Sequence, residues 1–210
     1  MGVYLWTDES YYPTSSTIAY FPFKDDQLDK SGNGYSINTT GTKQAIGYQF
    51  SWSVWITSWW GLPYMISVRA KMVSFGSWIS DCATMIRIWK AFRYIRYHNV
   101  VPDSAKKFQL YNSSTSSNMF SSQQSTSTWN RYHLLFWISG GTSWTYACRI
   151  NGSKVWTWNV NTETGSWSWV VYLMNNNSTW IFSDLILENR LWDDSEVLAY
   201  YNRTKSTYGY

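Results

Sequence analysis

Alternation with a period of two runs through this chain almost from end to end, and that periodicity leaves little room for anything but β-sheet. In MISVRAKMV (65–73), Ile66, Val68, Ala70 and Met72 fall on one face, and Ser67, Arg69 and Lys71 on the other. A strand patterned this way is expected to bury one face and wet the other. Comparable runs, rich in β-branched and aromatic residues, occupy 17–23, 63–73, 83–89, 92–98, 106–112, 131–138, 145–151 and 180–189. Gly, Asn and Ser punctuate them, as turns between strands require.

Helical periodicity is convincing only near the end, in WDDSEVLAYYNRTK (192–205). Asp193 is placed to cap that helix while Glu196, three residues on, reaches back to form a capping box. Val197, Leu198 and Tyr201 are its expected apolar face, and Arg203 and Lys205 stand where the dipole favours cations. Many short strands with one short C-terminal helix imply an all-β fold: a two-sheet antiparallel β-sandwich. The low-complexity tract 112–128 is too short to link two domains and is expected to form a weak edge hairpin. The chain therefore divides into an N-terminal arm (1–16), one sandwich domain (17–205) and a tail (206–210). Within the arm, Tyr11 and Tyr12 suit a subunit interface, although a flexible end is the simpler reading.

Charged residues make up 14% of the chain and aromatics 20%, against roughly 25% charged in an average domain. That balance suits an exported all-β protein better than a cytosolic helical enzyme. No run approaches the ~20 apolar residues of a membrane span, so membrane insertion is not expected. MGVYLWTDES lacks the basic start and apolar run of a secretory signal, which implies a piece of a larger surface protein or export without a cleaved signal. The net charge of +4 is dispersed, with local clusters at Arg87, Lys90, Arg93 and Arg96 and at Lys106 and Lys107. Alternating strand faces produce such clusters without a polyanion partner, so nucleic acid is not expected. Cys82 and Cys148 are weak evidence for a disulfide, and two buried free thiols is the preferred reading.

Three segments carry a family resemblance. IAYFPFKDDQLDKSGNGYSI (18–37) resembles the opening of laminin-G-like, concanavalin-A-like jelly-roll domains, with an apolar strand, acidic residues and a D-x-S-G-N-G turn. WNRYHLLFWISGGTSWTYACRINGSKV (129–155) is similar to the family's W-x-H strand followed by a strand ending in I-N-G, and IFSDLILENRLWDDSEVLAYYN (181–202) resembles its close. The resemblance implies a glycan-binding, adhesive or structural module of the kind appended to bacterial cell-surface proteins, secreted glycan-acting enzymes and phage particles. The expected location is extracellular, on a cell surface or on a virion. The leading expectation is a non-catalytic module that binds a glycan or surface polysaccharide. The alternative is a structural or decoration subunit of a particle, filament or surface layer, engaged in self-association or in contacts with a parent surface or virion protein.

Some relatives bind calcium near the ends of the sandwich, and Asp25, Asp26, Asp29 and Asn33 supply hard oxygen ligands of the right kind. The same DKSGNG stretch also makes a good turn, because Asp and Asn bond their own backbone and Gly accepts positive φ; the turn is the preferred reading. Hydrolytic members of the superfold rely on paired carboxylates, and the four glutamates at 9, 163, 188 and 196 show no such spacing. A catalytic site is not expected. His98 and His133 lack companions at metal-ligand spacing, and His133 falls at a packing position.

Sixteen tryptophans in 210 residues demand an account. Strand residues two apart share a face, so the pairs Trp156 with Trp158 and Trp167 with Trp169 form candidate platforms on which a sugar ring stacks. A rival account starts from turn chemistry, which favours glycine at many of these positions: Trp6, Trp52, Trp55, Trp59, Trp60, Trp144, Trp156, Trp158, Trp167, Trp169 and Trp180. Some bacterial lineages and their phages read UGA as glycine where another code reads tryptophan, so on this account many of these tryptophans are recoded glycines. Trp78, Trp129 and Trp192 fit apolar positions of the resembling family, while Trp89 and Trp137 fit either account.

Overall fold

The computed structural model describes residues 11–51, 54–57, 64–74, 82–88, 93–100, 105–112, 117–121, 131–138, 144–160, 170–175 and 178–208. Its strands are β1 (Thr17–Phe21), β2 (Thr42–Lys43), β3 (Tyr48–Phe50), β4 (Val54–Thr57), β5 (Tyr64–Ser74), β6 (Cys82–Ile88) and β7 (Arg93–Val100). They continue as β8 (Ala105–Asn112), β9 (Ser117–Ser121), β10 (Arg131–Ile138), β11 (Trp144–Ile150), β12 (Ser153–Val160), β13 (Val170–Asn175) and β14 (Thr179–Glu188), followed by helix α1 (Asp194–Tyr208).

Two antiparallel sheets result. The first runs β12–β11–β10–β5–β14–β3–β2, with β1 also paired to β14, and the second runs β4–β13–β6–β7–β8–β9. Val54, Ile56 and Leu173 of the second sheet share one buried cluster with Ile66, Val68, Leu134, Leu185 and Leu187 of the first. That shared cluster makes the pair of sheets a sandwich of the expected class. β9 lies at the edge of the second sheet, paired with β8, which places part of the 112–128 tract at an edge as the sequence implied.

Local chemistry explains the main joints. Asn151 and Gly152, at φ 51° and 78°, form the two-residue loop between β11 and β12. Positive φ at both central residues is the type I′ signature that matches strand twist in hairpins. In β14 the register shifts between Phe182 and Asp184, so Phe182 and Leu185 both reach the sandwich core despite odd spacing. The extra residue, Ser183, is the cost of turning the strand there.

The expectation of one wet face on β5 is corrected. Ser67 and Arg69 are only 2% and 1% exposed, because α1 covers that face. A second buried cluster, with Met65, Leu135, Ile186, Val197 and Tyr200, lies there, so the molecule has three layers: sheet, sheet and helix. The alternation was read correctly, but it reports two chemistries rather than two exposures.

The capping box of α1 is present. Asp193 Oδ1 accepts the Glu196 N–H at 2.8 Å, and Glu196 Oε2 accepts the Asp193 N–H at 2.9 Å. The helix runs on to Tyr208, into the segment read from sequence as a tail. Its buried face is Val197, Tyr200 and Thr204, not Val197, Leu198 and Tyr201; Leu198 is 50% exposed. One position of rotation separates the two, because Tyr200 is drawn inward by the polar partners waiting on the sheet.

Candidate functional site

The acidic turn after β1 is a hydrogen-bonded scaffold. Asp29 Oδ1 accepts the backbone N–H groups of Tyr20 and Ser31, each at 2.9 Å. Its Oδ2 accepts the Ser31 hydroxyl at 2.7 Å and the Tyr35 N–H at 3.0 Å. Asn33 donates its side-chain amide to the carbonyls of Thr17 and Ile18 at 3.0 and 2.9 Å, stitching the turn to β1. Gly32 and Gly34 hold φ of 89° and 74°. Asp26 accepts from the Leu28 N–H and from Lys30, and the Lys30 hydrogen bond, with that N–H, holds its carboxyl below the ordinary range. Asp25 is exposed and lies 3.8 Å from Lys43. Among the described residues, no three His, Cys, Asp or Glu side chains gather as a metal-binding group.

The structure separates the tryptophans. Trp156 and Trp158 lie on β12, the edge strand of the first sheet, at register positions opposite Cys148 and Tyr146. Trp167 and Trp169 lie outside the described residues, as do Trp6, Trp52, Trp59 and Trp60. Trp55 is 42% exposed on β4, and its backbone N–H donates to Asn38 Oδ1 at 2.6 Å. Trp180 is a core residue, 1% exposed. Among the described residues, non-glycine positive φ occurs at Phe23 and Asn151 and at no tryptophan.

Sequence reasoning missed the polar layer between the first sheet and α1. Arg69 on β5 reaches Asp184 on β14, Nη1 to Oδ2 at 3.2 Å, with both side chains buried. Tyr200 donates its hydroxyl to the same Asp184 oxygen, and Arg69 Nη2 donates to Thr204 Oγ1. The guanidinium carbon lies 4.3 Å from the ring centroids of both Tyr200 and Tyr208, an arrangement in which cation–π attraction offsets lost hydration. Burial pushes the Asp184 carboxyl up to about 6 against the opposing pull of Arg69. A charged residue set in the apolar run IFSDLILE was the available signal, since a buried carboxylate requires a partner.

Glu188 closes the far end of this layer. Fully buried, it accepts from Trp192 Nε1 at 2.6 Å, from Arg190 Nε at 3.3 Å and from the Tyr11 hydroxyl. Tyr11, read from sequence as part of a loose arm, is 6% exposed. Its ring stacks on Trp192 at 5.6 Å and meets Tyr20 edge-on at 5.1 Å. Burial first, then Glu188, drives its phenol pKa well above the ordinary value, so Tyr11 acts as a neutral donor. His133 is buried, 2.9 Å from the Ser67 hydroxyl through Nε2 and stacked on Tyr201, the packing role expected of it. Cys148 is a buried free thiol. Its pKa is raised by burial, which suppresses the reactive thiolate.

No protein-family model matches this chain, and no curated protein matches it. Solved structures do. The botulinum neurotoxin type G receptor binding domain matches with a TM-score of 0.58 at 14% identity, covering 90% of this chain and 51% of that one. The serotype D binding domain matches with a TM-score of 0.62 at 12% identity, covering 89% and 51%. The binding domain of botulinum neurotoxin DC, solved in complex with rat synaptotagmin II, matches with a TM-score of 0.61 at 18% identity, covering 90% and 52%. The chain thus spans about half the length of these structures, and the likeness is one of fold.

Proposed function

We propose that this chain is a non-catalytic extracellular module of the laminin-G-like, concanavalin-A-like class that binds a glycan or surface polysaccharide. One observation carries the reading: the sandwich is shared with domains whose solved forms are receptor-binding. The carboxylates agree with it. Glu188 is enclosed by its donors, and Glu196 is engaged by the helix cap and by Arg190 at 2.8 Å, whereas a glycosidase needs two carboxyls facing a substrate. Glu9 and Glu163 lie outside the described residues. In this reading the tryptophan pairs 156/158 and 167/169 provide stacking surface. The acidic turn at Asp25, Asp26, Asp29 and Asn33 acts as scaffold rather than as a calcium site. Among the described residues no helix is long and apolar enough to cross a membrane.

A glycan array tests the proposal, run on the purified chain with calcium, with chelator and after denaturation. Saturable binding that requires the fold is the expected result, unchanged by chelation. Silence across a broad array sinks the glycan reading. The second reading, a structural or decoration subunit, is favoured by Leu191 and Leu198 at 39% and 50% exposure around the start of α1. Light scattering across a concentration series would then show assembly.

A further inference from the structure

We infer that the outer face of the second sheet binds a carboxylated polysaccharide, laid across the strands along a row formed by Trp55, Tyr172, Arg87, Tyr94 and Tyr111. The inference rests on the glycan-binding reading and supplies it with a surface and a ligand class. The row follows from strand register. Trp55 of β4 pairs with Tyr172 of β13, Tyr172 with Arg87 of β6, Arg87 with Tyr94 of β7, and Tyr94 with Tyr111 of β8. No sequence motif links these positions, and only the order of the strands brings them into line.

Residues directly opposite one another on paired strands share a face, and Trp55 fixes which face this is. Trp55 is exposed, while its chain neighbours Val54 and Ile56 are fully buried. Displaced by one residue along each strand lies a second row, Val54, Leu173, Ile86, Ile95 and Leu110. Val54 and Leu173 belong to the core between the sheets, so that row lies on the core face and the Trp55 row on the outer one. Helix α1 packs on the first sheet; among the described residues, the outer face of the second sheet has no helix over it. From Trp55 to Tyr111 the row crosses four strand spacings of ~4.8 Å, a strip roughly 19 Å long. The recoding account does not touch Tyr172, Tyr94 and Tyr111, so the strip stands whichever residue the native protein carries at 55.

Two features of the row select the ligand. The aromatic positions repeat at the strand spacing, which is close to the length of one sugar ring, so successive rings of a glycan chain meet successive strands and can present their C–H faces to them. Charge supplies the second feature. The six strands of this sheet contain Arg87, Arg93, Arg96, Lys106 and Lys107 but no Asp or Glu, whereas β14 of the first sheet carries Asp184 and Glu188. Alternation explains why cations cluster on one side of a strand; it does not explain the lack of carboxylates from all six. Alternate residues share a face, so Arg96, two positions from Tyr94, and Lys107, four from Tyr111, join Arg87 on the aromatic face, while Arg93 and Lys106 fall on the other. Gln109 pairs with Arg96 and adds a neutral donor and acceptor beside the strip. A guanidinium binds a carboxylate through two parallel hydrogen bonds, so a sugar acid matches this face where a neutral sugar leaves its cations unused.

The test is calorimetry on the intact chain with oligogalacturonate, hyaluronate and polysialate as carboxylated probes, dextran and cellohexaose as neutral ones, and oligothymidylate as a polyanion without sugar carboxylates. At least one carboxylated probe is expected to bind, with the neutral probes weaker by about tenfold or more. Arg87→Gln should weaken binding by about tenfold to a hundredfold, and Arg87→Lys should recover part of that loss. Tyr94→Thr keeps a strand-forming residue and should weaken binding by about threefold to tenfold, each variant unfolding at the native temperature. If the array shows glycan binding that Arg87→Gln and Tyr94→Thr both leave intact, this face is overturned and the glycan reading stands. Silence of the native chain on both array and panel overturns both. Neutral probes bound as tightly as carboxylated ones overturn the ligand class. Oligothymidylate bound more tightly than every glycan overturns it in favour of single-stranded nucleic acid, which also uses stacking and cations.

Discussion

Tyr11 shows how much one side chain decides here. Its ring fills a slot between Tyr20, Trp192 and Tyr200, and its hydroxyl supplies a donor to a buried carboxylate. Tyr11→Ala removes both the packing and the donor and should cost about 3 kcal/mol or more in a urea titration. Tyr11→Phe keeps the packing and leaves Glu188 short of a donor, so about 1–2 kcal/mol is expected. A null effect of both would mean that the segment before β1 does not dock. Asp29 decides the acidic turn in the same way: its two oxygens accept four hydrogen bonds. Asp29→Ala should lower stability by about 2 kcal/mol or more, while chelator leaves the native Tm unchanged. A chelator-dependent Tm would instead identify the turn as a calcium site. By contrast, the exposed Asp26–Lys30 pair lies in the range where ion pairs contribute roughly 0–1 kcal/mol.

At the scale of elements, α1 and the first sheet are coupled through groups whose titrations oppose one another. Burial, then Arg69, holds His133 well below the ordinary histidine value. The unfolded chain therefore binds the extra proton, and this contribution is full above about pH 6.5 and lost as pH falls below it. Asp184 works in the other direction. Its folded pKa is raised to about 6, so its contribution is present below the ordinary carboxylate value and lost as pH rises through about 6. Between those limits the two partly cancel. Asp184→Asn removes one of them, so the Tm of the variant should fall more steeply than that of the native chain on acidification from about pH 6.5 to 4. Parallel profiles would show that these groups do not set the acid response. This coupling marks the limit of what alternation conveys. The strands at 63–73 and 131–138 and the capping box at Asp193 and Glu196 were legible because period and cap chemistry are local. The inward turn of Tyr200 and the burial of Arg69 and Ser67 were not, because they depend on a helix more than 100 residues downstream of Arg69 in the chain. The short strands β2, β3 and β4 were illegible for a related reason: they are two, three and four residues long, too short for a period to repeat. The candidate site was less legible still, since the polar layer under α1 joins Arg69, Asp184, Tyr200 and Thr204, which no motif connects.

For the whole molecule, the excess of tryptophan poses a question about the native protein itself, and the core bears on it at one position. Trp180 lies opposite Phe50 of β3 and Met72 of β5, stacks on Phe182 at 6.3 Å and 22°, and donates Nε1–H to Ser178 at 2.9 Å. Trp180, Phe50, Met72 and Phe182 belong to the cluster that joins the two sheets, so a glycine at 180 would open a void where the layers meet. Truncating a buried tryptophan to alanine already costs about 3–5 kcal/mol, a large share of the roughly 5–15 kcal/mol that holds a domain folded. Glycine adds about 0.5–1 kcal/mol of backbone entropy in a strand. Trp55 differs: it is exposed at the edge strand of the second sheet, where a glycine would leave no void. Recoding is therefore expected to be excluded at Trp180 while remaining compatible with exposed positions. Peptide mass spectrometry of protein from its native source reads this position by position, and tryptophan at 180 is the expected result. In parallel, Trp180→Gly in the recombinant chain should lower unfolding stability by at least about 3 kcal/mol. Glycine at 180 in the native protein, with undiminished stability, would mean that the sandwich closes over that site by a packing different from the one described.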